Sequence, residues 1–168
     1  SLKVIEKTVI ENDSAYHVRF LAKSKGPIHH LFPINDEINI WLDSKTFLPI
    51  KIHENIREGN FKKSREIYFN QKEGYAVVND DTVNIDKNTQ SPFSLFYFFR
   101  KNSIEDFRGK TITLIQNGKN IFLKLIVKEN QKVIVPAGSF MCTEVSPVRE
   151  DNKKFKNKAE LAIMFSND

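Results

Sequence analysis

A chain of 168 residues, 40% hydrophobic and 28% charged, lies far from the low-hydrophobicity, high-charge composition that keeps chains disordered, and its length allows one domain with a sizeable core. No run reaches the ~18 apolar residues a membrane-spanning helix needs, and the single cysteine, Cys142, excludes an internal disulfide. The net charge of +5 falls wholly in the second half: residues 1–84 carry 12 basic and 12 acidic side chains, residues 85–168 carry 14 and 9.

Period-two alternation dominates the first half. Tyr16, Val18, Phe20 and Ala22 alternate with Ala15, His17, Arg19 and Leu21; Ile38, Ile40 and Leu42 repeat the pattern beside Trp41. Ile50, Ile52 and Ile56 alternate with Lys51, His53, Asn55 and Arg57. Turn signals separate these runs at Glu11-Asn12-Asp13, Asp43-Ser44-Lys45, Glu58-Gly59-Asn60 and Lys72-Glu73-Gly74. Such short connections favour antiparallel neighbours, because parallel crossovers need a dozen or more residues.

The pattern then changes at "SPFSLFYFFRK", residues 91–101, where five aromatic rings occupy the seven positions from Phe93 to Phe99. Ser91 suits an N-cap, Pro92 the first helical position, and Arg100 and Lys101 the C-terminal end of a helix dipole. On a helical wheel Leu95, Phe96 and Phe99 centre one face, with Phe93 and Phe98 flanking it and a narrow polar strip at Ser94 and Lys101. A helix this short, at roughly 15 Å, and apolar nearly all round must be buried in protein. The rings either fill the space inside a curved sheet or line a hydrophobic pocket there.

Downstream, Gln116-Asn117-Gly118-Lys119 carries an Asn-Gly pair suited to a tight type I′ hairpin turn between Thr111–Ile115 and Ile121–Val127. Another turn is expected near Glu129-Asn130-Gln131, then a strand over Val133–Val135, a break at Pro136-Ala137-Gly138, and strands over Phe140–Val145 and Ala159–Phe165. Lys153, Lys154, Lys156 and Lys158 read as a solvated loop before that last strand, although an anionic membrane surface or nucleic acid would also attract them. About ten strands and one helix predict an all-β fold. Its expected form is a single curved antiparallel sheet, an open or partial barrel, with the aromatic helix packed on its concave side.

Catalytic and metal chemistries find little footing. His29-His30 with Asp36 and Glu37 supplies ligand atoms, but adjacent histidines on an extended chain point to opposite sides. Ala137-Gly138-Ser139-Phe140 lacks the Gly-x-Ser-x-Gly elbow that exposes a nucleophilic serine. Cys142, beside Met141 in a strand, reads as a buried inert thiol. Glu105-Asp106 and Asp80-Asp81 are sequence neighbours near turns and suit solvation or capping. Lys62, Lys63, Arg65 and Tyr68 are the nearest approach to a nucleic-acid face, and they read better as an edge strand guarded by lysines.

Several of these stretches resemble a known family. "SPFSLFYFFRK", "GKTITL", "GKNIFLKLIV", "VPAGSFMCTEV" and "AELAIMFSND" are similar to the exported bacterial proteins grouped as the domain of unknown function DUF3108. The similarity is close over residues 91–168 and looser before them. It rests on Ser91, Pro92, Ser94, Leu95 and Arg100 of the helix and on the turn from Pro136 to Phe140; Ser91 stands where the family more usually has an acidic residue. The resemblance implies residues 1–168 as a single domain of that family without its extreme N- and C-terminal strands. It further implies a periplasmic or envelope location with any export signal outside this sequence, and a relation to lipoprotein-carrier half-barrels.

Together these features lead to an expected function: a non-enzymatic cell-envelope protein binding a lipid, an acyl chain or a lipidated peptide. The ligand's apolar chain would lie against Leu95, Phe96 and Phe99, and an anionic head would meet Arg100 or Lys101. The alternative is an assembly module whose unpaired strand edges dock another envelope protein; an enzyme of unknown type comes third. Expected partners are a lipid, a lipoprotein or an envelope protein, with no nucleic acid, cofactor or metal.

Overall fold

The computed structural model of the chain describes residues 1–116, 118–151 and 162–166. Seven strands run in sequence order as an antiparallel meander: β1 (Leu2–Ile10), β2 (Asp13–Lys23), β3 (Asn35–Asp43), β4 (Pro49–Glu58), β5 (Phe61–Asn70), β6 (Tyr75–Val78) and β7 (Asp81–Asn84). A second sheet has the order β11-β10-β9-β8, formed by β8 (Ile112–Gln116), β9 (Lys119–Val135), β10 (Gly138–Arg149) and β11 (Ile163–Ser166). The architecture is all-β and includes a curled half-barrel, as expected, with the strands divided between two sheets instead of joined in one.

Alternation does what the sequence promises in the meander. Val18, Ile38, Ile40, Leu42, Ile52, Ile67 and Phe69 all point into one core. The tight turns also follow their signals. Glu11 and Asn12 both take positive φ, +49° and +74°, between the paired residues Ile10 and Asp13, as a type I′ turn requires. Asp43 accepts hydrogen bonds from the Lys45 and Thr46 amides, which closes the next turn. At the Asn-Gly pair, Gln116 opposes Lys119 and Gly118 has φ +70°; Asn117 lies outside the described residues.

Four expectations need correction. His29 and His30 sit on a short helix, α1 (Pro27–Leu31), and not on an extended chain. β5, carrying Lys62, Lys63, Arg65 and Tyr68, is an interior strand between β4 and β6, so its lysines guard no edge. Strand alternation also sends Lys63 and Arg65 to one face, towards Glu54, and Lys62 and Tyr68 to the other. Finally, Glu129-Asn130-Gln131 is not a turn: it lies inside the 17-residue strand β9, where two residues, Glu129 and Asn130, oppose the single residue Thr143. Asn130 takes φ +55° there, and the result is a β-bulge.

Of the last expected strand, the described part is β11; residues 159–161 and Lys153, Lys154, Lys156 and Lys158 lie outside the described residues. Cys142 is buried in β10, where the sequence placed it.

Candidate functional site

The aromatic stretch forms helix α2 (Leu95–Lys101), preceded by a turn over Pro92–Ser94. Ser91, expected as the helix N-cap with Pro92 at the first helical position, caps this preceding turn instead, and the helix N-cap is Ser94. The Ser94 amide donates to Ser91 Oγ at 3.0 Å and the Ser91 amide donates to Ser94 Oγ at 2.8 Å, a reciprocal arrangement like a capping box. Ser94 is expected on the narrow polar strip of the helix. Instead it is fully buried, because its hydroxyl also bonds Gln90 Oε1 at 2.7 Å inside a polar knot of Thr89, Gln90, Ser91 and Ser94. Gln90 itself bridges to Leu114 in parallel, its amide donating to the Thr113 carbonyl and its carbonyl accepting from the Ile115 amide. The stretch leading into α2 therefore ties the meander to β8.

The rings divide between two cores. Phe93 and Tyr97 pack against the meander core, with Phe93 6.1 Å from the Phe20 ring. Leu95, Phe98 and Phe99 are buried in a second core with Leu48, Ile112, Leu114, Ile121, Leu123, Leu125 and Val145. Phe107, from a 3-10 turn over Ile104–Phe107, closes on Phe98 at 4.9 Å. Helix α2 is a wedge with one apolar side for each sheet. Four of the five rings, Phe93 just before the helix and Tyr97, Phe98 and Phe99 on it, serve the two cores.

The expected ligand residues separate accordingly. Leu95 and Phe99 are 4% and 3% exposed and fill space in the second core. Phe96, placed at the centre of the buried face by the helical wheel, is only half-buried; Phe98 takes that central place. The Phe96 ring stacks on Phe165 at 6.0 Å and carries the Arg100 guanidinium 5.7 Å above it. Lys101 turns the other way, with its ammonium 5.1 Å from the Phe47 ring. Burial raises the pKa of the neighbouring Tyr97 phenol, against a smaller pull down from Arg100.

A second apolar feature lies at the opposite extreme of exposure. Beyond the Asn130 bulge, Gln131–Val135 pair, among the described residues, only with Gly138–Cys142, so that past the Cys142–Ser166 pair the ends of β9 and β10 form a two-stranded arm of roughly 16 Å at the usual strand rise. Val135 opposes Gly138 across the two-residue turn Pro136-Ala137, and Gly138 has φ +142°, a conformation that only glycine adopts readily. Ile134 is 76% exposed, Val135 42% and Met141 43%. Between Asn130 and Thr143 there is no acidic residue and one basic one, Lys132.

The root of this arm is braced. Arg108 donates to Glu105 at 2.7 and 2.8 Å and to Glu129 at 2.8 Å, fastening the 3-10 turn to the strand just before the bulge. Hydrogen bonding from Arg108 holds the Glu105 carboxyl below its usual range. A solvent-open depression of about 370 Å³ lies there, lined by Ser103, Ile104, Glu105, Glu129, Asn130 and Thr143. None of Leu95, Phe96, Phe99, Arg100 or Lys101 lines it.

Two further clusters escape sequence reading. On the meander's outer face one register row brings together Glu6, His17, Trp41, Lys51 and Tyr68. His17 stacks on Trp41 at 4.7 Å, while Lys51 lies over both Trp41 and Tyr68 and pairs with Glu66 at 2.7 Å. Burial works against the Lys51 ammonium, but its bonds to Glu66 and Tyr68 outweigh that, and the pKa is raised. His17 covers one face of Trp41 and Lys51 lies over Trp41 and Tyr68, which makes the row a packed ladder with Tyr68 still 37% exposed at its end. On the inner face Glu54 is buried and bound by Arg65 at 3.0 and 2.6 Å. Its only sequence signal is a glutamate at the inward phase between Ile52 and Ile56.

A family model described as DUF3108, protein of unknown function, matches residues 2–168. The chain belongs to that family. No curated protein and no solved structure matches it.

Proposed function

We propose that this chain is a non-enzymatic interaction module of the cell envelope, in which α2 locks the two sheets together and the β9–β10 arm is presented to a partner. The observation that carries this reading is the arm itself. Exposed Ile134, Val135 and Met141 stand on a ribbon free of acidic residues, in a protein of which 28% is charged. Exposed apolar surface concentrated in one projecting element marks an interaction site more often than a solvated one. The envelope setting rests on the resemblance to exported proteins.

The reading as a binder draws support from where reactive side chains go: Cys142 is buried, His17 is stacked on Trp41 and bonded to Asn39, and Glu54 is held by Arg65. A second reading, an apolar ligand at Leu95, Phe96 and Phe99 with its head at Arg100 or Lys101, is favoured by one detail. Phe96 remains half-buried under a cation, at the open margin of the wedge. Fractionation of producing bacteria separates the two. The interaction reading expects Ile134→Asp to release the protein from the envelope fraction and Phe96→Trp to leave it there. Retention of Ile134→Asp, together with bound lipid lost on Phe96→Trp in native mass spectrometry, would favour the ligand site instead.

A further inference from the structure

Resting on the reading of the arm as the docking element, we propose that its partner is an anionic lipid surface, into whose headgroup layer the tip Val133–Gly138 inserts. Three features choose lipid over a protein pocket. The tip is convex and uncharged, running Val-Ile-Val-Pro-Ala-Gly without a polar side chain to set a specific fit. Val133, Ile134 and Val135 occupy the outermost stretch of β9, about 10 Å at the usual rise, which matches the ~5–10 Å to which interfacial elements sink. Lys132 comes next toward the root, at the height where phosphates would lie; of the described acidic residues flanking the arm, Glu144 is paired with Lys128 at 2.8 Å, and Glu129 shares Arg108 with Glu105 at 2.8 and 2.7 Å.

Hydrogen bonding sets the depth. The ribbon's two strands satisfy each other across the Val135–Gly138 end, but among the described residues the outward row of each strand has no partner toward the tip, β11 reaching only the Cys142–Ser166 pair at the root. Hydrocarbon would leave those groups unsatisfied, whereas the hydrated headgroup layer does not. The arm is therefore suited to touch a membrane and not to cross it. Its braced root, with the Asn130 bulge and the Arg108 bridge, fixes the angle at which the tip meets the surface.

The test is co-sedimentation with vesicles of phosphatidylcholine containing one part in three phosphatidylglycerol, and with vesicles of phosphatidylcholine alone. Sedimentation velocity of the same proteins without lipid runs beside it. Wild type should bind the anionic vesicles more strongly than the neutral ones. Ile134→Asp should lower partitioning by about tenfold or more, the scale of one lost aliphatic side chain. Lys132→Gln should lower it about fivefold on anionic vesicles and little on neutral ones. Val135→Asp, beside Ile134 in the inserted tip, gives a second apolar variant, and melting curves verify that all three fold. Equal vesicle binding by wild type and both apolar variants overturns the proposal. No vesicle binding, with a wild-type dimer that Ile134→Asp dissociates, replaces lipid by a second copy and leaves the arm as a docking element. No vesicle binding and no dimer overturns both readings.

Discussion

Helix α2 and the tip of the β9–β10 arm are both short and rich in apolar side chains, yet Phe99 is 3% exposed and Ile134 is 76% exposed. The difference comes from what surrounds them. A helix placed between two sheets finds an apolar partner on each side, and its preceding turn is pinned by the buried Gln90–Ser94 bond. A ribbon launched by a bulge past the reach of β8 meets β11, among the described residues, only where Cys142 pairs with Ser166. Apolar sequence is thus an instruction to bury only where the topology supplies a surface. Where it supplies none, the same composition marks a place where something else binds.

The comparison can be broken at its buried end first. Phe99→Ala should destabilise the fold by about 3–5 kcal/mol in denaturant unfolding, the usual cost of truncating a packed aromatic ring. A loss below about 1 kcal/mol would show that α2 is not a wedge. Burial, and not apolarity, should set the cost elsewhere too. Glu54→Ala leaves the Arg65 guanidinium in a site where it is almost wholly enclosed, and should cost about 3 kcal/mol. A neutral result there would mean that water reaches the inner face. Phe96→Ala, at the margin of the wedge, should cost only about 1–2 kcal/mol; a loss matching that of Phe99→Ala would restore Phe96 to the centre of the core. Smallest of all, Ile134→Asp should move stability by less than about 0.5 kcal/mol, because the side chain packs against little. A larger loss would place the tip against the body of the protein.

Much of this arrangement was legible from the residues. Alternation at Tyr16–Ala22 and Ile38–Leu42 gave strands and their inward faces, and Asn12 and Gly118 stood at tight turns because both tolerate positive φ. Ser91 as a capping side chain followed from its chemistry, but it closes the turn before α2, and the helix starts three residues later than its Ser-Pro signal suggests. The division into two sheets was not legible, since it depends on residues 89–115 crossing from one to the other through the Gln90–Leu114 bridge. Nor could a wheel of rings choose between Phe96 and Phe98, because a helix apolar all round has no unique buried face. The arm was hidden by an ambiguity of a different kind. Asn130 in a polar triplet signals left-handed backbone, and that conformation serves a turn and a bulge equally well.

The wedge has one direct consequence for cooperativity. Trp41, the single tryptophan, reports on the meander, while amide exchange at Leu123 and Leu125 reports on the second core. If α2 joins the two cores, urea unfolding followed by Trp41 fluorescence and by protection of Leu123 and Leu125 should give one coincident transition with a single slope. Two separated midpoints, with the second sheet losing protection while Trp41 keeps its native signal, would contradict the account.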